Sequence, residues 1–288
     1  MDLQLAQFLI NGVAVGCIIA LASVGLTLTY GILRLSNFAH GDLMTLGAYL
    51  AWVANSAGVN IWLAIALGAV GTIGTALASE ALVWRPMRDR RASPTTLIII
   101  SIGLALFIRN AIVLIWGGNN QNYDLPVAPA FDLWGLKIKF YNLVVVGLAA
   151  LAIAGLHYLL QNTKIGKAMR AVADDVDLAR VTGINVDRVV LWTWVIAAGL
   201  TALGGGMYGL LTAVRPNMGW FLILPMFASV ILGGIGNPYG AIIGGLAIGI
   251  AQEVSTYWLP TEYKLAVALV IVILVLLVRP QGLFRGTT

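Results

Sequence analysis

Charge is in short supply in this sequence: Asp, Glu, Lys and Arg make up 10% of its 288 residues, against roughly 25% in ordinary soluble domains. A water-soluble helical protein keeps a polar face outward, and these few charges cannot furnish one for every helix. His40 and His157 are the only histidines, which argues against a histidine metal centre. Cys17 is the single cysteine and lies in an apolar run, which excludes an intrachain disulfide and a cysteine-cluster metal site. A Walker A sequence is also missing, because Gly166-Lys167 is followed by Ala168 and lacks the glycine-rich lead-in that cradles phosphate. The run Gly234-Ile235-Gly236-Asn237-Pro238-Tyr239-Gly240 has the wrong glycine spacing for a dinucleotide fingerprint, and no strand precedes it. No Ser/His/Asp spacing stands out, so neither enzymatic activity nor a cofactor is expected.

What the sequence does contain is apolar length. Hydrophobic residues make up 60% of it and the mean hydropathy is +0.92. A bilayer core about 30 Å thick takes about 20 residues per helix at about 1.5 Å each, and such stretches recur. Segment 97–116 carries one charge and segment 265–278 none, so neither has a side that water would tolerate. Spans are expected at 8–30, 37–54, 62–83, 97–116, 143–160, 189–211, 221–233, 241–258 and 265–278. The expected fold is an all-α, polytopic transmembrane helical bundle of eight to nine spans, forming a single domain over 1–288. The seventh segment is short and reads as a broken or re-entrant helix. The N-terminal Met-Asp-Leu-Gln-Leu lacks a basic n-region, and Ala20-Leu21-Ala22 only superficially resembles a cleavage site, so the first segment is expected to be retained.

A net charge of +5 suggests nucleic acid or anionic lipid only until the cations are located. They mark topology instead, because basic loops stay on the cytoplasmic side during insertion. Arg85, Arg88, Arg90 and Arg91 fall between spans three and four, and Lys164, Lys167, Arg170, Arg180 and Arg188 between spans five and six. Both loops are expected inside, together with the tail carrying Arg279 and Arg285; the N-terminus is expected outside. Lys137, Lys139, Arg215 and Lys264 remain for the outer side. Trp52, Trp62, Trp116, Trp220 and Trp258 fall near outer span ends, where amphipathic rings prefer the headgroup region.

Two long loops lie on opposite sides. The external loop, about 117–141, carries Asn119, Asn120, Pro126 and Pro129 and reads either as a docking surface for a soluble protein or as a plain surface loop. The cytoplasmic segment, about 161–188, places Ile165, Ala168, Met169, Val172, Val176 and Ala179 at helical spacing among charges, which predicts a short amphipathic helix. Within the spans, Gly12 with Gly16, Gly205 with Gly209, Gly240 with Gly244 and Gly245 with Gly249 recur four apart, the spacing that lets helix backbones approach. Ser36-Asn37-Phe38-Ala39-His40-Gly41-Asp42 is a polar cluster that opens the second span. It has two readings: a substrate pathway through Asn37, His40, Gly41 and Asp42, or a helix cap at the cytoplasmic interface. Asn237 precedes a later helix in a comparable way, a weak hint of inverted repeats. Arg109 lies well inside a span and needs a partner, for which Asn110, Ser101, Glu80 and Glu253 are candidates.

These residues resemble the permeases of ABC importers for branched-chain and other hydrophobic amino acids, specifically the shorter of the two permease subunits. The resemblance covers essentially the whole chain. It rests on Leu35-Ser36-Asn37-Phe38-Ala39-His40-Gly41-Asp42 with Gly47-Ala48-Tyr49, Arg85-Pro86-Met87-Arg88, Thr163-Lys164-Ile165-Gly166-Lys167-Ala168-Met169-Arg170-Ala171 followed by Gly183-Ile184, and Arg279-Pro280-Gln281-Gly282-Leu283-Phe284. It implies inward transport of neutral, largely apolar amino acids across a bacterial inner membrane, with urea or short amides as an alternative cargo. The implied partners are two ATP-binding subunits, a second permease and an external substrate-binding protein; nucleic acid is not among them. It also makes the segment with Ile165, Gly166, Lys167, Ala168, Arg170, Ala171, Ala179, Gly183 and Ile184 look like the ATPase-coupling region. The rival class is an ion-coupled secondary transporter, which needs intramembrane carboxylates, with Asp42, Glu80 and Glu253 as the candidates. A structural or assembly protein is a third class, and it predicts that charge reversal at Arg170 leaves uptake intact. The topology yields a direct prediction: single cysteines introduced between Lys164 and Arg188 are expected to resist a membrane-impermeant thiol reagent added to intact cells, and external labelling there would overturn the orientation.

Overall fold

A computed structural model describes residues 3–126, 128–133, 135–279 and 281–284. Met1, Asp2, Pro280 and Arg285, all named above, lie outside those residues. Eleven helices are present among the described residues: α1 Leu3–Leu33, α2 Ala39–Ser56, α3 Ile61–Asp89, α4 Pro94–Trp116, α5 Phe140–Asn162, α6 Lys164–Asp174, α7 Val176–Val181, α8 Val186–Leu211, α9 Met218–Gly233, α10 Pro238–Ser255 and α11 Lys264–Val278. The strands β1 Ala130–Leu133 and β2 Leu136–Lys139 pair antiparallel within the long outer loop, with Phe131 opposite Ile138. The fold is thus nearly all helical rather than strictly so.

Among the described residues, six helices are long and apolar enough to cross a membrane: α1, α3, α4, α5, α8, and α11 with its leading turn as Thr261–Val278. A shorter apolar helix is α9, with 16 residues, about 24 Å at about 1.5 Å per residue. This corrects the expectation of eight to nine spans. The physical reason lies in α2 and α10, which carry residues such as His40, Asp42, Gln252 and Glu253. Both sit among other helices, so their polar positions meet protein rather than lipid.

Local sequence accounts for the boundaries. Ser93 caps α4 by accepting from the Thr96 amide, with Pro94 at the first helical position where its missing N–H costs nothing. Asn237 accepts from the amides of Tyr239 and Gly240 at 3.0 and 3.1 Å, and Pro238 follows it. In α3 one π-helical stretch, Glu80–Trp84, interrupts the α ladder; such bulges mark places where a side chain must be re-aimed.

The core is built on α1, most of whose length is buried. Glycines bring α10 against it: a Cβ on Gly249 would collide with the backbone of Gly16, one on Gly245 with Ala20, and one on Gly12 with Ile250. The four-residue glycine spacing therefore produces close helix contact, as expected. The outer faces of α4, α5 and α11 stay apolar, with Phe107, Leu114, Leu151, Leu277 and Val278 exposed, a surface suited to hydrocarbon.

Both basic loops lie at one end of the bundle. The Trp84 ring, at the end of α3, stacks on Trp194 near the start of α8, with centroids 6.2 Å apart. The tail joins the same end, where Leu283 and Phe284 donate to the carbonyls of Leu232 and Gly233. At the opposite end Gln7 bonds Lys137 in both directions and Gln121 pairs with Val214. The long outer loop is anchored there too: Tyr123 donates to the Ala48 carbonyl at 3.1 Å, burial pushing its phenol above the ordinary range, and the Asp124 amide donates to Asn55 at 2.7 Å.

Gly249→Leu is expected to lower the thermal stability of the detergent-purified protein by the equivalent of about 1–3 kcal/mol through overpacking. Gly74→Ala, where an added Cβ meets nothing within 4 Å, is expected to leave it unchanged or slightly raised. Size-exclusion profiles after heating distinguish the two, and equal loss in both would contradict the packing.

Candidate functional site

The polar cluster at the start of α2 is buried inside the bundle rather than placed at its surface. The Phe38 amide donates to Ser101 Oγ at 3.1 Å, and Ser101 lies two turns into α4. Asn37 accepts from the Ala39 amide at 3.0 Å through Oδ1, so its chemistry is that of a turn holding a helix start. His40 places Nε2 at 2.9 Å from the Ala22 carbonyl and 2.6 Å from Thr201 Oγ1. Gly41 abuts Gly219, where a Cβ on either would strike the other's backbone. The Gly219 amide donates to Thr45 Oγ1 at 2.9 Å. This cluster is a joint among α1, α2, α4, α8 and α9.

Asp42 supplies the partner that Arg109 needs. The guanidinium meets the carboxylate in a two-pronged contact, Nε to Oδ1 at 3.0 Å and Nη2 to Oδ2 at 2.9 Å, the geometry that makes Arg–carboxylate pairs strong. The Trp220 ring covers the guanidinium at 4.7 Å, adding a cation–π contact. None of the partners proposed from sequence is used: Asn110 donates to the Leu106 carbonyl, Ser101 to that of Ile98, Glu80 binds Arg88 and Trp194, and Glu253 binds Lys264. Asp42 was assigned to a pathway instead, and its side chain, only 1% exposed, is fully committed to Arg109.

Two of the cavities lie at opposite ends of the bundle, the inner one at the end that carries the basic loops and the outer one at the end of Gln121 and Val214. The outer one, about 620 Å³, is lined by Arg109, Asn120, Tyr208, Arg215, Asn217 and Phe221 among others. The inner one, about 310 Å³, lies between α1, α6 and the turn joining α9 to α10. Asn237 lines this inner cavity, apart from Asn37, His40, Gly41 and Asp42, which line neither.

The segment 161–188 folds as two helices, α6 and α7. Thr163 starts α6 by accepting from the Gly166 amide at 3.0 Å, and Asp175 starts α7 by accepting from the amides of Asp177 and Leu178 at 2.9 Å. Met169, Val172 and Ala179 turn inward and are buried, and Ile165, Ala168, Ala171 and Ile184 are half-buried. Gly166 presses against the carbonyls of Leu159 and Leu160, where a side chain would not fit. Lys167, Arg170 and Gly183 are exposed, Gly183 with a φ of 88° that favours glycine. Most of the small and apolar residues selected from sequence thus seat the segment on the bundle. The residues that face away are Leu178 and Val181, 62% and 86% exposed. Sequence reasoning missed them, although their spacing of three, out of phase with Val176 and Ala179, marks a second apolar stripe.

The chain matches the family described as "Branched-chain amino acid transport system / permease component" over residues 8–276. It is 35% identical to the high-affinity branched-chain amino acid transport system permease protein LivH of Escherichia coli (strain K12), over 98% of this chain and 96% of that one. It is 30% identical to the permease protein BraD of Pseudomonas aeruginosa, covering 96% and 94%, and 30% identical to a probable LivH of Methanocaldococcus jannaschii, covering 98% and 93%. No solved structure matches significantly.

Arg109→Ala is expected to destabilise the protein by about 3–5 kcal/mol, because it strands a buried carboxylate. Arg109→Gln combined with Asp42→Asn is expected to recover much of that loss. Thermal melts of the purified single and double variants check this; additive losses would show that the two side chains do not act as a pair.

Proposed function

Because the chain belongs to the branched-chain amino acid transport permease family, we propose that it is the membrane-spanning permease of a binding-protein-dependent ABC importer for neutral, branched-chain-type amino acids. Two ATP-binding subunits, a second permease and an external binding protein complete the assembly. The N-terminus lies outside the cell, and both basic loops with the C-terminal tail lie on the cytoplasmic side. The observation that carries this reading is the two-helix segment 161–188, seated firmly on the bundle while Leu178 and Val181 stand out into water. A pair of large exposed apolar side chains flanked on the same helix by Asp177 and Arg180 has the composition of an interface core with a charged rim. An ATP-binding subunit is the partner that a chain without its own phosphate cradle requires.

Alternating access then follows from mechanics. Force on α7 passes directly into α8, whose 26 residues form a rod about 39 Å long at about 1.5 Å per residue. Trp194 near its start donates to Glu80 Oε2 at 2.7 Å, and Glu80 also binds Arg88 through both oxygens, so α8 carries the end of α3 with it. Rocking this unit against the second permease exposes the path first outward, then inward. Selectivity for apolar cargo is placed mainly in the binding protein. Ion coupling is disfavoured by the same geometry: Asp42, Glu80 and Glu253, the carboxylates it needs, are paired with Arg109, Arg88 and Lys264.

Leu178→Asp is expected to weaken attachment of the ATP-binding subunits by about 30-fold, the effect of losing an interface hot spot of about 2 kcal/mol, and to reduce leucine uptake in step. Co-purification and vesicle uptake measure both. Ion-driven uptake by this chain alone, or full uptake in the Leu178→Asp variant, would overturn the proposal.

A further inference from the structure

The inner cavity holds chemistry that import does not use. Its buried floor is formed by Thr27 and Gly31 of α1, and its walls include Leu28, Ile32, Met169 and Ala173. Its rim is polar, with Gln161, Arg170, Asp174 and Tyr239, all exposed. At about 310 Å³ it lies at the small end of the ~300–1,000 Å³ typical of small-molecule sites.

The rim charges are arranged unusually. Arg170 and Asp174 stand four apart on α6, the spacing at which opposite charges on a helix ordinarily meet. They do not pair here, because Arg170 Nη1 is drawn to the Leu160 carbonyl at 2.5 Å and to Gln161 Oε1 at 3.0 Å. Among the described residues no ion pair engages Asp174. A cation and an anion therefore stand apart at the mouth of an apolar pocket, a pattern complementary to a zwitterion with a greasy side chain.

We propose that this cavity binds a free amino acid with an apolar side chain, its carboxylate on Arg170, its ammonium on Asp174 and its side chain against Leu28, Ile32, Met169 and Ala173. An occupant wedges between α6 and the Asn237-Pro238 turn and so favours one position of the coupling segment over others. A ligand that binds one position more tightly than another slows any cycle requiring both. Product accumulating on the cytoplasmic side thus restrains its own import. That regulatory consequence rests on the import reading, whereas the site itself rests on the cavity.

Equilibrium binding of radiolabelled leucine to the purified transporter complex, without binding protein, tests the site. One saturable site is expected, with leucinamide and 4-methylpentanoate, each lacking one of the two charges, competing poorly. Asp174→Asn is expected to weaken binding about tenfold or more, the size of one charge-assisted contact, and Ala173→Phe to abolish it by filling the pocket. No binding, or binding indifferent to both substitutions, overturns the proposal. In proteoliposomes preloaded with leucine, ATP-driven uptake is expected to slow in the natural protein and not in Asp174→Asn; slowing that persists in the variant overturns the regulatory role. Absent uptake with intact leucine binding would count against import and leave the site standing.

Discussion

Hydrocarbon offers no hydrogen bonds, so the polar groups that this chain carries into the bilayer are answered mostly from within the chain, although Asn37 Nδ2 and His40 Nδ1 find no partner among the described residues. That constraint explains why the interior joint is so densely cross-connected. The unwound approach to α2 leaves amides that a helix would normally satisfy, and Ser101 and Asn37 accept from them. Asp42 and Arg109 neutralise each other, and Thr45 receives the free amide at the start of α9. Because the bonds to Ser101 and Arg109 tie α2 to α4 and the bond to Thr45 ties it to α9, satisfying the polar groups and fixing the tertiary arrangement become one event. Cations and carboxylates obey the same rule at the margins, where Glu80 and Glu253 are each matched to a nearby base.

The permease mechanism inherits its stiffness from this arrangement. Close contact between α1 and α10 packs the two backbone to backbone through Gly12, Gly16, Gly245 and Gly249, so they form one tightly joined unit. In the proposed cycle the α8 rod, entered directly from α7, links the end that carries the basic loops to the outer cavity, and its contact with Glu80 enlists the end of α3. Rigid bodies with few internal hinges suit a cycle whose energy arrives from outside the chain.

Much of this was legible in the sequence, for identifiable reasons. Uninterrupted apolar length located α1, α4 and α11, and glycine spacing announced the α1–α10 seam. The position of Asn237 before a later helix is visible in the sequence, and the shared end of the two basic loops follows from their charge. What escaped depends on distance in space. The union of Asp42 with Arg109 links positions far apart in the chain, and periodicity carries no information about it. The helices α2 and α10 have enough apolar residues to resemble spans, and composition carries no information about which neighbours shield their polar positions. The hairpin from Ala130 to Lys139 lies in a loop whose short alternating stretches were not read as strands. In segment 161–188, helical spacing identifies the apolar residues but does not distinguish those that seat the segment on the bundle from Leu178 and Val181, which face outward.

The buried opening of α2 also bears on how the protein is made. A helix whose first turn carries His40 and Asp42 gains little by entering lipid alone, and Arg109 does not leave the ribosome until more than sixty residues later. During synthesis, the Asp42 carboxylate therefore stays without its guanidinium partner until α4 emerges. Assembly of this permease is in that sense a delayed handshake, and the order of genetic translation becomes part of its folding pathway.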